Sequence, residues 1–331
     1  MDKTIVLGDI ILDLIAHIPR YPQPGGDGIA RNVLIKSGGS AANTARALAR
    51  CGISTGLIGR TGNDVFAQQV LAELDATGVN TTLIQQDRDM SSGLMFITVT
   101  PDGQRTMFGY RGANTRTSPR ELDANAIRAA RWLHVSGYAL LEAPQKDAAL
   151  RAIAIARTAG AKIGLDPGLE IALCDAALLN SLLSDIDVLF PNEDELRALA
   201  GVDDIQVSLD KLCDRGITTI ALKLGANGCM LHEQGKTVCI PAFSVSVVDT
   251  TGAGDAFAAG FIAGQTHGLD LRTCGVWANA MGALAAAVEG SYAPEKNELA
   301  AFLRHHASSP RWAGWERTLE TILHKIEKGC R

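Results

Sequence analysis

The chain has 331 residues, of which 47% are hydrophobic and 20% charged, and its formal net charge is −5. That much apolar material excludes intrinsic disorder, and the mild acidity gives no electrostatic reason to expect nucleic acid or an anionic membrane as partner. The length suits one large α/β domain or a core with a small appendage.

In chain order, residues 4–8 (TIVLG) are β-branched and end in glycine, which predicts a buried strand. Residues 10–15 continue it or begin a second. Residues 17–37, rich in proline and glycine, read as an excursion from the core. A helix is expected over 41–51, stopped by Gly52, then a short strand over 55–59 and a helix over 65–77, stopped by Gly78. Residues 94–100 and 104–110 flank Pro101-Asp102-Gly103 and predict a hairpin. A hairpin among βα units does not belong to a parallel sheet, so it is assigned, with part of 13–37, to a small β appendage. Strand patterns at 131–137, 162–168, 187–192 and 218–225 then alternate with helical ones at 146–159, 172–183, 193–200 and 208–215. That rhythm predicts a doubly wound, mostly parallel sheet. An edge hairpin over 229–232 and 237–241 and small-residue helices over 253–267 and 273–288 follow. Trp312, Trp315, Leu319, Ile322 and Ile326 form an apolar helix stripe, expected to dock on its own domain.

Seven cysteines without a C-x-x-C pair read as reduced thiols of a cytoplasmic protein. The opening MDKTIVLGDIILD lacks the basic start and apolar run of a signal peptide, and no window holds eighteen uninterrupted apolar residues. P-loop, G-x-G-x-x-G, H-E-x-x-H and G-x-S-x-G motifs are all missing. His305 and His306 read as surface residues.

Five segments could carry chemistry. Residues 247–257 (VVDTTGAGDAF) run from a strand end through a glycine-rich turn into a helix. Unpaired amides at such a helix tip cradle an anion, and Asp255 in the first turn could take a proton from an attacking hydroxyl. An ordinary capped helix explains the segment equally well. Gly38-Gly39-Ser40-Ala41-Ala42-Asn43 permits close approach of a small ligand, or is a turn and cap. In Pro191-Asn192-Glu193-Asp194-Glu195, Asn192 and Glu195 share a face that suits magnesium, or form a dipole-stabilised acidic first turn. Lys223 to Gly228 could border a nucleotide or simply approach a hairpin. Asp13 could bind two substrate hydroxyls or be a solvated turn residue.

Taken in order, GD…D, GGSAAN, PNEDE, KLGANG and DTTGAGDAF strongly resemble the ribokinase-like sugar kinases, the PfkB family, over residues 4 to 305. The resemblance implies a Rossmann-like α/β domain spanning 1–331, with a β-sheet lid built from about 13–37 and 93–113 that often serves dimerisation. The segment 311–331 would be a helix packed on the core. It implies transfer of the γ-phosphoryl of ATP to a sugar hydroxyl, usually primary, with Asp255 as base and Gly252, Ala253 and Gly254 as anion hole. Asn192 and Glu195 would serve magnesium through water. Lys223, Gly225, Gly228 and Asn279 would border the nucleotide. Asp13, Gly39 and Asn43 would contact the sugar. Asp249, Thr251 and a Gly290 carbonyl fall where many members hold a monovalent cation such as potassium. Ile11 and Ser40 depart from the asparagine and lysine of ribokinase itself, which weighs against ribose. Arg111, after the hairpin, could meet an acidic or phosphorylated sugar or stay in solvent. A nucleoside kinase of the same family and a non-catalytic sugar-binding regulator are the alternatives.

Overall fold

Aliphatic and β-branched runs build an eight-stranded sheet in the computed structural model, which describes residues 3–328. The strands are β1 (Thr4–Leu7), β4 (Thr55–Ile58), β9 (Trp132–Ser136), β10 (Lys162–Asp166), β11 (Val188–Leu189), β12 (Thr219–Lys223), β13 (Cys229–Glu233) and β14 (Lys236–Ile240). Their order is β14-β13-β12-β11-β10-β9-β1-β4, parallel from β12 to β4, with β13 and β14 an antiparallel edge. The chain moves outward from β1 to β4 and then restarts at β9 on the other side. Ligands bind at such a switch point, beyond the carboxyl ends of the strands.

A second sheet contains β2 (Ile11–His17), β3 (Asn32–Gly38), β7 (Gly93–Val99) and β8 (Arg105–Tyr110), in the order β3-β2-β7-β8. Residues 10–15 therefore leave the first sheet and open this one. The two-residue strands β5 (Arg60–Thr61) and β6 (Gln85–Gln86) pair beside it.

Twelve helices stand among the described residues: α1 (Ser40–Arg50), α2 (Val65–Ala76), α3 (Ala124–Ala129), α4 (Gln145–Ala159), α5 (Leu169–Cys174), α6 (Ala176–Leu182), α7 (Glu193–Ala200), α8 (Ile205–Cys213), α9 (Ala253–Thr266), α10 (Leu271–Ala286), α11 (Lys296–Ala307) and α12 (Glu316–Lys328). They cover the main sheet in two layers with separate apolar cores. One core gathers Val6, Phe190, Phe261, Trp277 and Trp312, and the other Ile5, Leu133, Ile163, Leu189 and Leu222. The helix expected over 172–183 is two helices, because Asp175 breaks it and caps α6 by accepting from Leu178 N at 3.0 Å. Small residues let α9 and α10 approach closely: a Cβ on Gly260 would lie 2.9 Å from the Ala278 Cα. The helix expected from residue 311 begins only at Glu316, and Trp312 sits before it on a short 3-10 turn (Pro310–Trp312), yet Trp312, Leu319, Ile322 and Ile326 are all buried against the first core. Six cysteines are free thiols, and Cys330 lies outside the described residues.

Candidate active site

Asp255 is the third residue of α9. Gly252 precedes that helix with φ 74°, and a Cβ there would press within 3.1 Å of Ser291 Cα. The left-handed turn aims the amides of the helix tip outward, where the positive end of the macrodipole favours an anion. The Asp255 carboxylate accepts from Ser40 Oγ at 2.7 Å and from Asn43 Nδ2 at 2.8 Å, both on α1. Burial pushes its pKa up to about 6, the Asn43 and Ser40 hydrogen bonds and Lys223 oppose this, and Asp166 adds to it. A carboxyl poised there is suited to accept a proton near neutral pH.

The Asp13 side belongs to the same cluster. Asp13, 6% exposed on β2, is no solvated turn residue. Its pKa is pushed up to about 7 by burial, against the pull of Arg46, with Asp255 and Asp249 pushing further. A Cβ on Gly38 would strike the Asp13 carboxylate at 2.3 Å, and one on Gly39 (φ 90°) would meet the Asp9 carbonyl at 2.4 Å. The double glycine is thus required for β2, β3 and α1 to converge. Asn43 is held by buried Arg46, whose Nη2 donates to Asn43 Oδ1 at 2.7 Å and to Ser291 Oγ at 3.0 Å.

On the other side of the helix tip lies a cavity of about 590 Å³. Ala253 and Gly254 form its inner end, and Gly225, Gly228, Phe243, Asn279 and Arg311 are among its walls. That is room for a nucleotide. Asn279 donates to the carbonyls of Ile240 (3.2 Å) and Pro241 (3.1 Å), so its amide also fixes the wall it lines. Lys223 Nζ donates to Asp166 Oδ2 at 2.8 Å, and a Cβ on Gly254 would lie 3.4 Å from that ammonium. A cation beside the amide cradle is where a transferring phosphoryl group needs one.

Asn192 and Glu195 form a reciprocal capping box: Glu195 N donates to Asn192 Oδ1 at 2.9 Å and Asn192 N to Glu195 Oε2 at 2.8 Å. Burial raises the Glu195 pKa, Lys223 4.0 Å away lowers it, and Asp166 raises it. Among the described residues no three His, Cys, Asp or Glu side chains cluster as a metal cage. Glu195 and Asn192 would suit outer contacts, through water, to a magnesium ion held chiefly by phosphates.

Some sequence expectations need correction. The Arg111 guanidinium faces protein, not an open site: it donates to Asp9 at 2.8 and 3.0 Å, to Glu142 at 3.0 Å and to the Tyr138 carbonyl at 2.8 Å. A buried aspartate binds it more firmly than solvent or a passing ligand would. Gly290 donates its amide to Asp249 Oδ2 at 2.9 Å. Asp249 and Thr251 hold the guanidinium of Arg105, a residue of β8. A smaller correction concerns His306, whose ring packs edge-on against Phe243, 5.2 Å between centroids. Sequence reasoning missed Asp166, although it ends a parallel strand on the ligand side of the sheet, which was the available signal. It also missed Arg46 and Arg105, for which no motif exists.

A helix tip open to an anion, a buried carboxyl on one flank and a nucleotide-sized cavity on the other are the parts a phosphotransferase with an alcohol acceptor needs. Comparison with known proteins agrees. Residues 1–298 match the pfkB family of carbohydrate kinases. The chain is 33% identical over 304 residues to the ATP-dependent ribose-1-phosphate kinase of Halopiger xanaduensis, covering 92% of this chain and 98% of that one. It is 31% identical over 316 residues to the ribokinase of Haemophilus influenzae, covering 92% and 100%. The structure of Arabidopsis thaliana ribokinase complexed with ribose and ATP superposes with a TM-score of 0.79 at 26% identity, covering 91% of this chain and 98% of that one. The chain belongs to the pfkB carbohydrate kinase family, and its fold is the ribokinase fold.

Proposed function

We propose that this protein transfers the γ-phosphoryl group of ATP, with magnesium, to a primary hydroxyl of a small neutral sugar. The carrying observation is Asp255, fixed by Ser40 and Asn43 on the acceptor side while Ala253 and Gly254 face the cavity. The acceptor hydroxyl loses its proton to the Asp255 carboxylate as its oxygen attacks the γ-phosphorus in line, and the bond from that phosphorus to the β–γ bridging oxygen breaks to release ADP. The helix-tip amides and Lys223 take up the charge on the transferring group. Magnesium, when bound, neutralises charge on the phosphates. Asp13, Gly39 and Asn43 offer hydroxyl-binding groups, and Lys223, Gly225, Gly228 and Asn279 shape the nucleotide side.

A neutral sugar is supported by Arg111, which is engaged by Asp9, Glu142 and a carbonyl. The name of one relative, a ribose-1-phosphate kinase, favours a phosphorylated acceptor instead. ADP release across pentoses, hexoses, sugar acids, pentose phosphates and nucleosides tests the choice. A neutral sugar is expected to give the highest kcat/KM. A pentose phosphate or a nucleoside in that place would overturn the reading, and sugar binding without ADP release would make the protein a regulator.

The four-stranded sheet serves as a lid over the acceptor, and two copies pair through its outer face. No helix among the described residues is long and apolar enough to cross a membrane. Free thiols and a need for ATP support a cytoplasmic setting.

A further inference from the structure

The loops flanking the helix tip are gripped from the small sheet by side chains of three strands. His17, Val99 and Arg105 form one row across β2, β7 and β8, on the face that carries Asp13. From that face Arg105 Nη1 donates to Asp249 Oδ1 and Thr251 Oγ1, and Nη2 to Thr250 Oγ1 at 3.2 Å. Lys36 Nζ, on β3, donates to the Glu289 carbonyl, and His17 Nε2 lies 2.7 Å from the Glu289 carboxylate.

The residues do not fit a bound monovalent cation. Such an ion would be drawn by the same carboxylate charge, and here a guanidinium and backbone donors already hold that charge. Asp249 Oδ1 receives Arg105 together with the Thr251 amide (2.9 Å) and hydroxyl (2.8 Å), and Oδ2 receives the Gly290 amide. The Glu289 carbonyl is spent on Lys36. An entering ion would have to expel a guanidinium that makes three hydrogen bonds.

We propose that the Arg105 guanidinium takes the place of the monovalent cation beside the anion cradle, so that phosphoryl transfer is independent of potassium. Because Arg105 rides on β8, it is also a positioning residue: seating the small sheet and shaping the Asp249–Gly254 turn become one event. The inference rests on the kinase reading for its rate effects, but its cation effects are readable without any substrate.

The test compares wild type, Arg105→Ala and Arg105→Lys in potassium, sodium and tetramethylammonium chloride at equal ionic strength. Thermal midpoints are read without ligand, and kcat and KM with the acceptor found in the sugar panel. Wild type should show the same midpoint in all three salts, and rates agreeing within about twofold, below the usual range of a coupled site. Arg105→Ala should lose about tenfold or more in kcat/KM, the worth of a charge-assisted hydrogen bond. It should also gain a potassium-specific rise in midpoint and rate, and Arg105→Lys should fall between. A potassium-specific midpoint shift or activation of about fivefold in wild type overturns the proposal. So does a folded Arg105→Ala that keeps the wild-type rate in all three salts. Should Arg105→Ala fail to fold, the wild-type cation response decides alone. A protein that phosphorylates no sugar still reports its midpoints, so failure of the kinase reading is seen separately.

Discussion

Asp255 is held between opposing influences: burial favours its neutral form, and two donors on α1 favour the charged one. A base works only when ionised, so kcat/KM should fall as the pH drops through about 6. Asp255→Asn should lower kcat by roughly 10²–10⁴ with an unchanged circular dichroism spectrum, the range for losing a general base. Near-normal turnover would remove Asp255 from that role. Ser40→Ala deletes one donor to the carboxylate, so the acid limb of the pH–rate profile should move to higher pH. A limb that stays or moves down contradicts this picture of the site. Asp13 adds a stability effect of unusual sign. Its pKa rises from 3.8 to about 7 on folding, so the native state favours the proton. The penalty is absent below the unfolded value, grows as pH rises, and is complete above about 7, where it amounts to a few kcal/mol at the order-of-magnitude level. Asp13→Asn should therefore raise the thermal midpoint at pH 8, do little at pH 4, and raise the acceptor KM. An unchanged midpoint at pH 8 would mean that Asp13 is better solvated than its surroundings suggest.

Among the elements, those with a local cause were readable and those with a distant cause were not. The helix at 193–200 agrees with its expected bounds, because Asn192 and Glu195 carry its start signal within four residues. The Pro-Asp-Gly turn set the β7–β8 hairpin for the same reason. Pairing β2 with β7 joins residues more than eighty positions apart, and no spacing within either strand announces it. Arg105 meets Asp249 across 144 positions, so the site's cation partner was invisible while the loop it grips was plain. The tail lies between these cases. Its stripe was legible, but not that Trp312 would stack on Phe243 at 3.9 Å, nor that Phe243 and Arg311 would line the nucleotide cavity. Trp312→Ala should cost about 3–5 kcal/mol, the range for a buried aromatic, seen as a lower thermal midpoint. With its support gone, Phe243 should also loosen and the ATP KM should rise more than the acceptor KM. Equal rises in both would detach the tail from the nucleotide side.

At the scale of the whole molecule, the small sheet has two unlike faces. The row Lys36, Asp13, Met95 and Gly109 looks toward the site, while Ile35, Leu14, Phe96 and Phe108 form the opposite row. On that outer face Val33 (54%), Ile35 (53%), Phe96 (44%) and Phe108 (54%) are exposed. A contiguous apolar patch on a sheet marks an interface, and two copies can satisfy it with a single patch related by a two-fold axis. The proposed pairing would have a functional side, because alternate residues of the same strands, Asp13 and Arg105 among them, lie on the opposite face, and a second copy on the outer face would fix them from behind. Wild type should therefore sediment as a dimer at micromolar concentration, and the double substitution Phe96→Lys with Phe108→Lys should sediment as a monomer. The monomer should bind ATP as before, since the cavity draws no residue from this sheet, yet show a raised acceptor KM. A wild-type protein that stays monomeric at tens of micromolar, or a monomeric variant with an unchanged acceptor KM, would separate the sheet's outer face from the chemistry on its inner one.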